Sequence, residues 1–542
     1  MSADHAILGG RYKGTLKARR VTAVSDALPP TPDPALVAAL AADLDAVDFR
    51  SEPLRRLWGE EEDDALGRGV REPLLRTIAG DQGALATLGR LFVLGMPQPL
   101  SAVASALPRL GVEGLRGLGL ASSNSDEVVP RALIRPQSFV DTDGIGEWWI
   151  ASDLDELALG TELPADHVLG VGGASRTLAE LVVPISVERA LDLGTGCGIQ
   201  ALLVSRHAHE VVATDISSRA LAFAALNALL NGVRNVTFRQ GSMFEPVDGE
   251  TFDLIVSNPP FVITPRVDGV TAYEYRDGGL IGDALVEQFL RQVPAHLSGG
   301  GIAQLLGNWE SRPSLPEPEP SLPEPVEGSK STPGLTRLES WIAPDLDAWV
   351  IEREELTPLG YAELWIRDGG TTPRDAAFDQ MLGAWLDDFA ERRVTAIGFG
   401  YVLLRNPIAS DAERLRRFEK VSQPLSGVGR ALGEGLIAHD ALAGGIPQFL
   451  VTASDVTEAR HFMPGDDDPS VIELRQGGGF GRTISVDPAL AGFVGACDGE
   501  LTVSQIAAAL ADLFEVSLAD LWAELEPRIR QLVRDGFLVA AS

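Results

Sequence analysis

Residues 190–204 read ALDLGTGCGIQALLV, and the fold follows from how this stretch is read. An apolar run ends at Leu193, glycines stand at Gly194, Gly196 and Gly198, and an apolar helical pattern opens at Ile199. Strand, glycine loop and helix in that order open a βαβ unit. Glycine allows the sharp turn and lets the main chain approach a ligand at the carboxyl end of the strand. The spacing does not match the GxGxxG fingerprint of dinucleotide sites, and no Lys-Ser/Thr follows as in a phosphate-binding loop.

Moving outward, a second strand, EVVATD, ends at Asp215. An acid about twenty residues after the loop can accept hydrogen bonds from ribose hydroxyls. The same residue also suits the N-cap of the helix SSRALAFAALNALL. A later strand runs into Asn258-Pro259-Pro260-Phe261, within FDLIVSNPPF. Proline cannot continue a strand ladder, so the chain leaves the sheet there and Asn258 stands at its carboxyl edge. A plain turn accounts for the prolines but not for the flanking amide and aromatic. Strand and helix patterns alternate through residues 150–406, with strands at RALDLG, EVVATD, NVTFRQG, FDLIVSN, GIAQLLGN, AWVIERE and IGFGYVLLRN. This predicts an α/β fold with a seven-stranded, doubly wound, Rossmann-like sheet ending in an antiparallel pair, with a helix at DAAFDQMLGAWLDDFAERR between the last two strands.

Taken together, DLGTGCG, the acid after the second strand and NPPF after the fourth resemble the class I S-adenosylmethionine (SAM)-dependent methyltransferases that modify amino nitrogens. Among these are adenine-N6 DNA methyltransferases, rRNA guanine-N2 and adenine-N6 enzymes, and protein-glutamine N5 methyltransferases of the HemK group. The resemblance covers roughly residues 165–310. The stretch RDGGLIGDAL, 276–285, is similar to a Gly-Gly segment that follows NPPY in the glutamine group. The resemblance implies SAM as methyl donor and no metal. It assigns Asp192, Gly194, Gly196, Gly198, Asp215, Ser242, Met243 and Asn258 to the cofactor. In VGGASRTLAEL, 171–181, it assigns Ser175 and Thr177 to the methionine part, although both could simply cap the next helix.

Asn258, Pro259 and Phe261 are the implied catalytic residues. An amide or ring-conjugated amine is a poor nucleophile because its lone pair is delocalised. The Asn258 side-chain oxygen and the Pro259 carbonyl would accept its two N–H groups while Phe261 stacks on its plane, a catalysis of positioning and electrostatics. Tyr273 and Tyr275 could add stacking, or simply pack. The chain departs from the family in two places. Gly241-Ser242-Met243 stands where an acid commonly meets the adenine amino group, and Phe261 replaces the Tyr usual in glutamine methyltransferases.

The 542 residues exceed one core, and the 45% hydrophobic and 23% charged composition is that of a soluble protein. Four regions are expected: a disordered tail at 1–30, a helical, winged-helix-like domain at 31–145, the methyltransferase domain at 146–406, and an α+β domain at 407–542 ending in a winged-helix-like unit. Within the third, the Pro/Glu-rich repeat SRPSLPEPEPSLPEPVEGSKSTPG at 311–334 cannot bury enough apolar surface to order itself. No secretory signal or membrane span is read, and with only Cys197 and Cys497 a reducing cytoplasm is expected.

The net charge of −32 disfavours passive adhesion to nucleic acid. Residues 485–542 hold nine acidic and three basic side chains, which points that region to protein contact or self-association rather than DNA. For the substrate, the NPPF form and the N-terminal helices favour an RNA base, in rRNA or tRNA. The RDGG stretch and the acidity favour a glutamine of a translation factor. A SAM-binding regulator that has lost turnover is the third reading.

Overall fold

The computed structural model describes residues 28–141, 144–160, 163–267, 276–313, 333–408 and 413–541. Its largest sheet has eight strands: β1 (Val187–Leu193), β2 (Ala208–Asp215), β3 (Val236–Gln240), β4 (Phe252–Ser257), β5 (Leu297–Ser311), β6 (Asp347–Leu356), β7 (Ala396–Arg405) and β8 (Arg416–Lys420). Their order is β8-β6-β7-β5-β4-β1-β2-β3. The central strands are apolar runs buried on both faces, as covered parallel strands must be; Leu254, Ile255 and Val256 are each at most 1% exposed. From β1 the chain winds outward to β2 and β3, and β4 then returns to the other side of β1, parallel to it. The strand order therefore reverses between β1 and β4, the position at which doubly wound sheets carry their ligand crevice, outside the carboxyl ends of the strands.

The expectation of seven strands is corrected to eight. β8, assigned from sequence to the C-terminal region, pairs parallel with β6, so the sheet extends past residue 406. β7 runs antiparallel to both β5 and β6 and lies between them. Gly398 and Gly400 on β7 make room for the buried indole of Trp309 on β5; a Cβ at Gly398 would lie 2.3 Å from Trp309 Nε1. That nitrogen donates to Glu352 Oε2 on β6 at 2.9 Å, across the glycine gap.

Helices α1 (Gly173–Leu181), α2 (Ile199–Val204) and α3 (Ser218–Leu230) flank the first strands. A long hairpin, Ala132–Asp141 with Gly144–Asp153, precedes them and spans the expected domain boundary at 145. Two asparagines tie it to α3. Asn227 and Asn231 each exchange hydrogen bonds of 2.8–2.9 Å with the main chain of Ala151 and Trp149, satisfying a strand edge that would otherwise stay unpaired.

In the N-terminal region strands at Gln98–Pro99, Ala121–Ser123 and Glu127–Pro130 form a three-stranded sheet, with helices at Leu100–Ala106 and Gly111–Gly117 between the first strand and the other two. At the other end, helices Val503–Leu513 and Leu518–Arg534 stand between strands Asp498–Thr502 and Leu538–Ala540, with Phe449–Thr452 as the middle strand. Thr502 and Gln505 form the capping box their spacing predicts. This region docks on the sheet edge through Arg482, which meets Glu419 of β8 at 2.8 Å, and through Phe480, stacked 5.2 Å from Trp349.

The repeat insert is narrower than 311–334. Ser311 ends β5 and Pro333–Glu339 is a helix. Residues 314–332 and the tail 1–27 lie outside the described residues. Among the described residues no helix is long and apolar enough to cross a membrane.

Candidate active site

The glycine loop sits at the crevice between β1 and β4. Asp192, 1% exposed at the end of β1, fixes its two ends. Its Oδ2 accepts from Thr195 Oγ1 at 2.6 Å and from Ala201 N at 2.9 Å. Burial pushes its carboxyl up to about 7, against the pull of these two donors. Its Oδ1 is buried without a partner. Gly198 is required for packing: at φ +89° its Cβ would lie 2.9 Å from Ala224 Cβ of α3. Gly196 is different in kind. At φ +55° the place of its Cβ is open, so the loop presents bare main chain to the crevice.

Asp215 closes the other side. Its Oδ2 accepts from Gly196 N at 2.9 Å and its Oδ1 from Ser217 N at 2.9 Å. Burial raises its pKa, and the two main-chain donors oppose that rise. The N-cap of α3 is Ser217, so Asp215 does not serve as the cap. Ile216, next to it, is an apolar side chain left 66% exposed. Ser242 and Met243 follow β3. Met243 takes a left-handed turn at φ +48°, and the Glu245 carboxylate reaches back to Ser242 N at 3.4 Å. A carboxylate thus comes near this edge from three residues beyond the position where the family carries its acid.

Asn258 follows β4, directly after Ser257, whose hydroxyl donates to Leu193 O at 2.8 Å and joins the two strand ends. Asn258 Nδ2 lies 3.4 Å from Ser175 Oγ, and its Oδ1 is buried without a partner. α1 carries no side-chain cap, so Ser175 and Thr177 do not cap it. Ser175 instead meets Asn258, whereas no hydrogen bond brings Thr177 to the other site residues. Phe261 is half-buried, its ring 5.6 Å from Phe399.

The loop after NPPF is pinned hard. Phe261 bridges Asp277, and Val262 N donates to Arg276 O at 2.8 Å, so the RDGG stretch lies antiparallel to it. Ile263 N donates to the buried Tyr361 hydroxyl at 3.0 Å, and Asn308 Nδ2 meets the same oxygen at 2.5 Å. Tyr273 and Tyr275 lie outside the described residues.

The arginines around this loop are neutralised. Arg266 pairs with Asp277, Arg276 with Asp368 at 3.0 Å, Arg337 with Asp283 at 3.0 Å, and Arg312 and Arg392 with the fully buried Glu310 at 2.7 and 2.8 Å. Among the described residues no group of three or more His, Cys, Asp or Glu is placed to hold a metal.

Residues 170–310 match the family described as a methyltransferase small domain, and residues 46–131 match a domain of unknown function. A release factor glutamine methyltransferase of Xylella fastidiosa is 49% identical over 134 residues, 23% of this chain and 48% of that protein. A ribosomal protein uL3 glutamine methyltransferase of Bordetella pertussis is 39% identical over 132 residues, 22% of this chain and 44% of that protein. One from Xanthomonas campestris is 32% identical over 223 residues, 39% of this chain and 68% of that protein. The chain belongs to the class I SAM-dependent methyltransferases, in the HemK-type group.

It spans about half the length of the first curated relatives it matches, 48% and 44% for two of them. Within this methyltransferase the residues fit a nucleoside-bearing cofactor: bare main chain at Gly196, a carboxylate at Asp215 and unpartnered buried oxygens on Asp192 and Asn258. Gln200, Ile216 and Tyr361 stand beside these residues without belonging to any of the motifs. Gln200 left a signal, a lone amide in the apolar run after the glycine loop. Tyr361 left none, because its contacts with Ile263 and Asn308 cross long stretches of chain.

Proposed function

We propose that this methyltransferase transfers the SAM methyl group to the side-chain amide nitrogen of a glutamine in a protein of the translation apparatus. The observation that carries the reading is the buried, unpartnered Oδ1 of Asn258 at the end of β4. A buried acceptor without a donor costs about 1–3 kcal/mol and is relieved by a substrate N–H. When bound, SAM supplies an electrophilic methyl on a sulfonium. Asn258 Oδ1 accepts one amide N–H, the Pro259 carbonyl accepts the other, and the half-buried Phe261 ring orients the amide plane. Ser175 Oγ accepts from Asn258 Nδ2 at 3.4 Å, which leaves Oδ1 as the free acceptor of that side chain. The cofactor is assigned to Gly194, Gly196, Gly198, Asp192, Asp215, Ser242 and Met243, with Ile216 against the base.

Two observations favour a protein over the RNA base that the NPPF form first suggested. Phosphate backbones are bound by available cations, whereas the arginines around the NPPF loop are already paired with carboxylates. The relatives just described carry glutamine methyltransferase names. Incubation with methyl-labelled SAM and a fractionated lysate tests this. Label lost to protease and kept through RNase is the expected result; the reverse restores the RNA reading. No product at all favours a SAM-binding regulator.

A further inference from the structure

Gln200 is 3% exposed in the first turn of α2. Its Nε2 donates to the main-chain oxygen of Ser175 at 2.6 Å. Its Oε1 is buried and has no partner. The amide orientation is chemically fixed, because only the nitrogen can donate to a carbonyl. A buried oxygen left over in this way marks a place for a donor from a ligand or an ordered water.

Two neighbours say what kind of ligand. α1, nine residues long, begins at Gly173 with no side chain capping it, and an uncapped first turn favours an anion. Asp192 is adjacent to the α2 turn through Ala201 N, and its own Oδ1 is also unpartnered. Two unpartnered buried acceptors, Gln200 Oε1 and Asp192 Oδ1, thus lie in and beside the α2 turn, and Gln200 is hydrogen-bonded to Ser175 in the uncapped first turn of α1, whose N–H groups are donors. That layout recognises an α-amino acid, with its ammonium and carboxylate, and the methyl donor carries such a group only at its methionine end.

We propose that Gln200 Oε1 accepts a hydrogen bond from the α-ammonium of the cofactor's methionine end. Gln200 then has two duties: its nitrogen braces α1 through Ser175, and its oxygen reads the zwitterion. Ser175 links this duty to the acceptor site, since its hydroxyl lies 3.4 Å from Asn258 Nδ2. The inference rests on the methyltransferase reading above.

The test is calorimetric titration of the full chain with three ligands: S-adenosylhomocysteine, its deaminated analogue, and 5′-methylthioadenosine, which lacks the amino-acid part. The wild-type protein is expected to prefer S-adenosylhomocysteine to the deaminated analogue. Gln200→Met should weaken S-adenosylhomocysteine about tenfold or more and leave the other two unchanged. Gln200→Glu, which keeps an acceptor and loses the donor to Ser175, should retain the preference. Equal weakening toward all three ligands in Gln200→Met, or a lost preference in Gln200→Glu, makes Gln200 a brace only and overturns the proposal. Unchanged affinity in Gln200→Met also overturns it and leaves an internal water as the partner of Oε1. If neither variant folds, the wild-type protein decides, and indifference to the amino group sinks the proposal. A wild-type protein that binds none of the three ligands sinks the methyltransferase reading with it.

Discussion

The main-chain N–H of Gly196 donates to Asp215 Oδ2 at 2.9 Å, so the glycine loop after β1 is held by the acid that ends β2. Asp215 thereby has two tasks, and its removal should show both. Asp215→Ala is expected to weaken SAM binding by about 1.5–3 kcal/mol, the range for hydrogen bonds to a charged group. It should also lower the unfolding midpoint of the ligand-free protein, because Gly196 and Ser217 lose their acceptor. Calorimetry and thermal unfolding on the same variant measure the two effects. Unchanged SAM affinity removes Asp215 from the ribose site.

Gly334 N donates to Ser311 Oγ at 3.1 Å, so the chain on either side of the Pro/Glu repeat already meets. Excising residues 314–332 and joining the ends with two or three Gly/Ser residues should leave folding and turnover nearly unchanged, since loop length costs little entropy. A variant that no longer folds in soluble form would show that the repeat packs against the protein.

The first four strands, the glycine loop after β1, and the placing of Asp215 and Asn258 at strand ends were legible because each is a local pattern: an apolar run, a glycine loop, an acid or an NPP at the strand end. β8 was not. Arg416–Lys420 reads RRFEK, with no apolar run and no alternation, and becomes a strand only because β6 offers it a partner. The position of β7 between β5 and β6 was equally hidden, since it depends on Gly398 and Gly400 clearing space for Trp309 across the sheet. Asp283 and Glu310 look like ordinary surface charges in sequence; their burial follows from arginines that arrive from residues 312, 337 and 392.

That buried network gives a stability prediction. Glu310 is 0% exposed and meets both Arg312 and Arg392. Glu310→Ala leaves two guanidinium groups without it and should destabilise the domain by about 3 kcal/mol, the low end for breaking a buried ion pair. Denaturant unfolding followed by tryptophan fluorescence reads this through Trp309, the residue before it. SAM affinity of the folded variant should be unchanged. A midpoint equal to wild type would mean that the arginines find other partners.

Asp192 sets a pH dependence. Its carboxyl is raised by burial to about 7 in the ligand-free fold, from an ordinary 3.8. The folded state therefore binds the proton more tightly than the unfolded chain, and this group's contribution to stability falls as pH rises from about 4 to about 7 and then levels. A cationic ligand favours the ionised form, so SAM affinity should rise with pH through the same upper range. Asp192→Asn should flatten that rise. Titrations between pH 5.5 and 8.5 on both proteins check it, and parallel curves would show that Asp192 does not sense the cofactor.

Asn258→Ala separates binding from chemistry. The groups assigned to the cofactor's ribose and loop contacts, Asp215 and Gly196, bond each other and do not depend on Asn258. Asn258 Oδ1 is unpartnered, so its removal breaks no hydrogen bond made by that oxygen within the protein. The variant should keep its fold and its SAM affinity. It should lose about 3 kcal/mol of transition-state stabilisation, a hundredfold or more in kcat, because a preorganised acceptor for the reacting amide is gone. Phe261→Ala should cost less, and Phe261→Tyr should be tolerated, since the ring is half-buried against Phe399 and only orients the amide. Thermal shift with SAM and turnover of labelled substrate must come from the same preparations. Wild-type turnover in Asn258→Ala means that the acceptor nitrogen is held elsewhere and that NPPF is a turn. If SAM binding and fold fail together, Asn258→Asp becomes the deciding variant. It keeps an acceptor and adds a charge, so it should retain SAM and change kcat without raising KM for SAM.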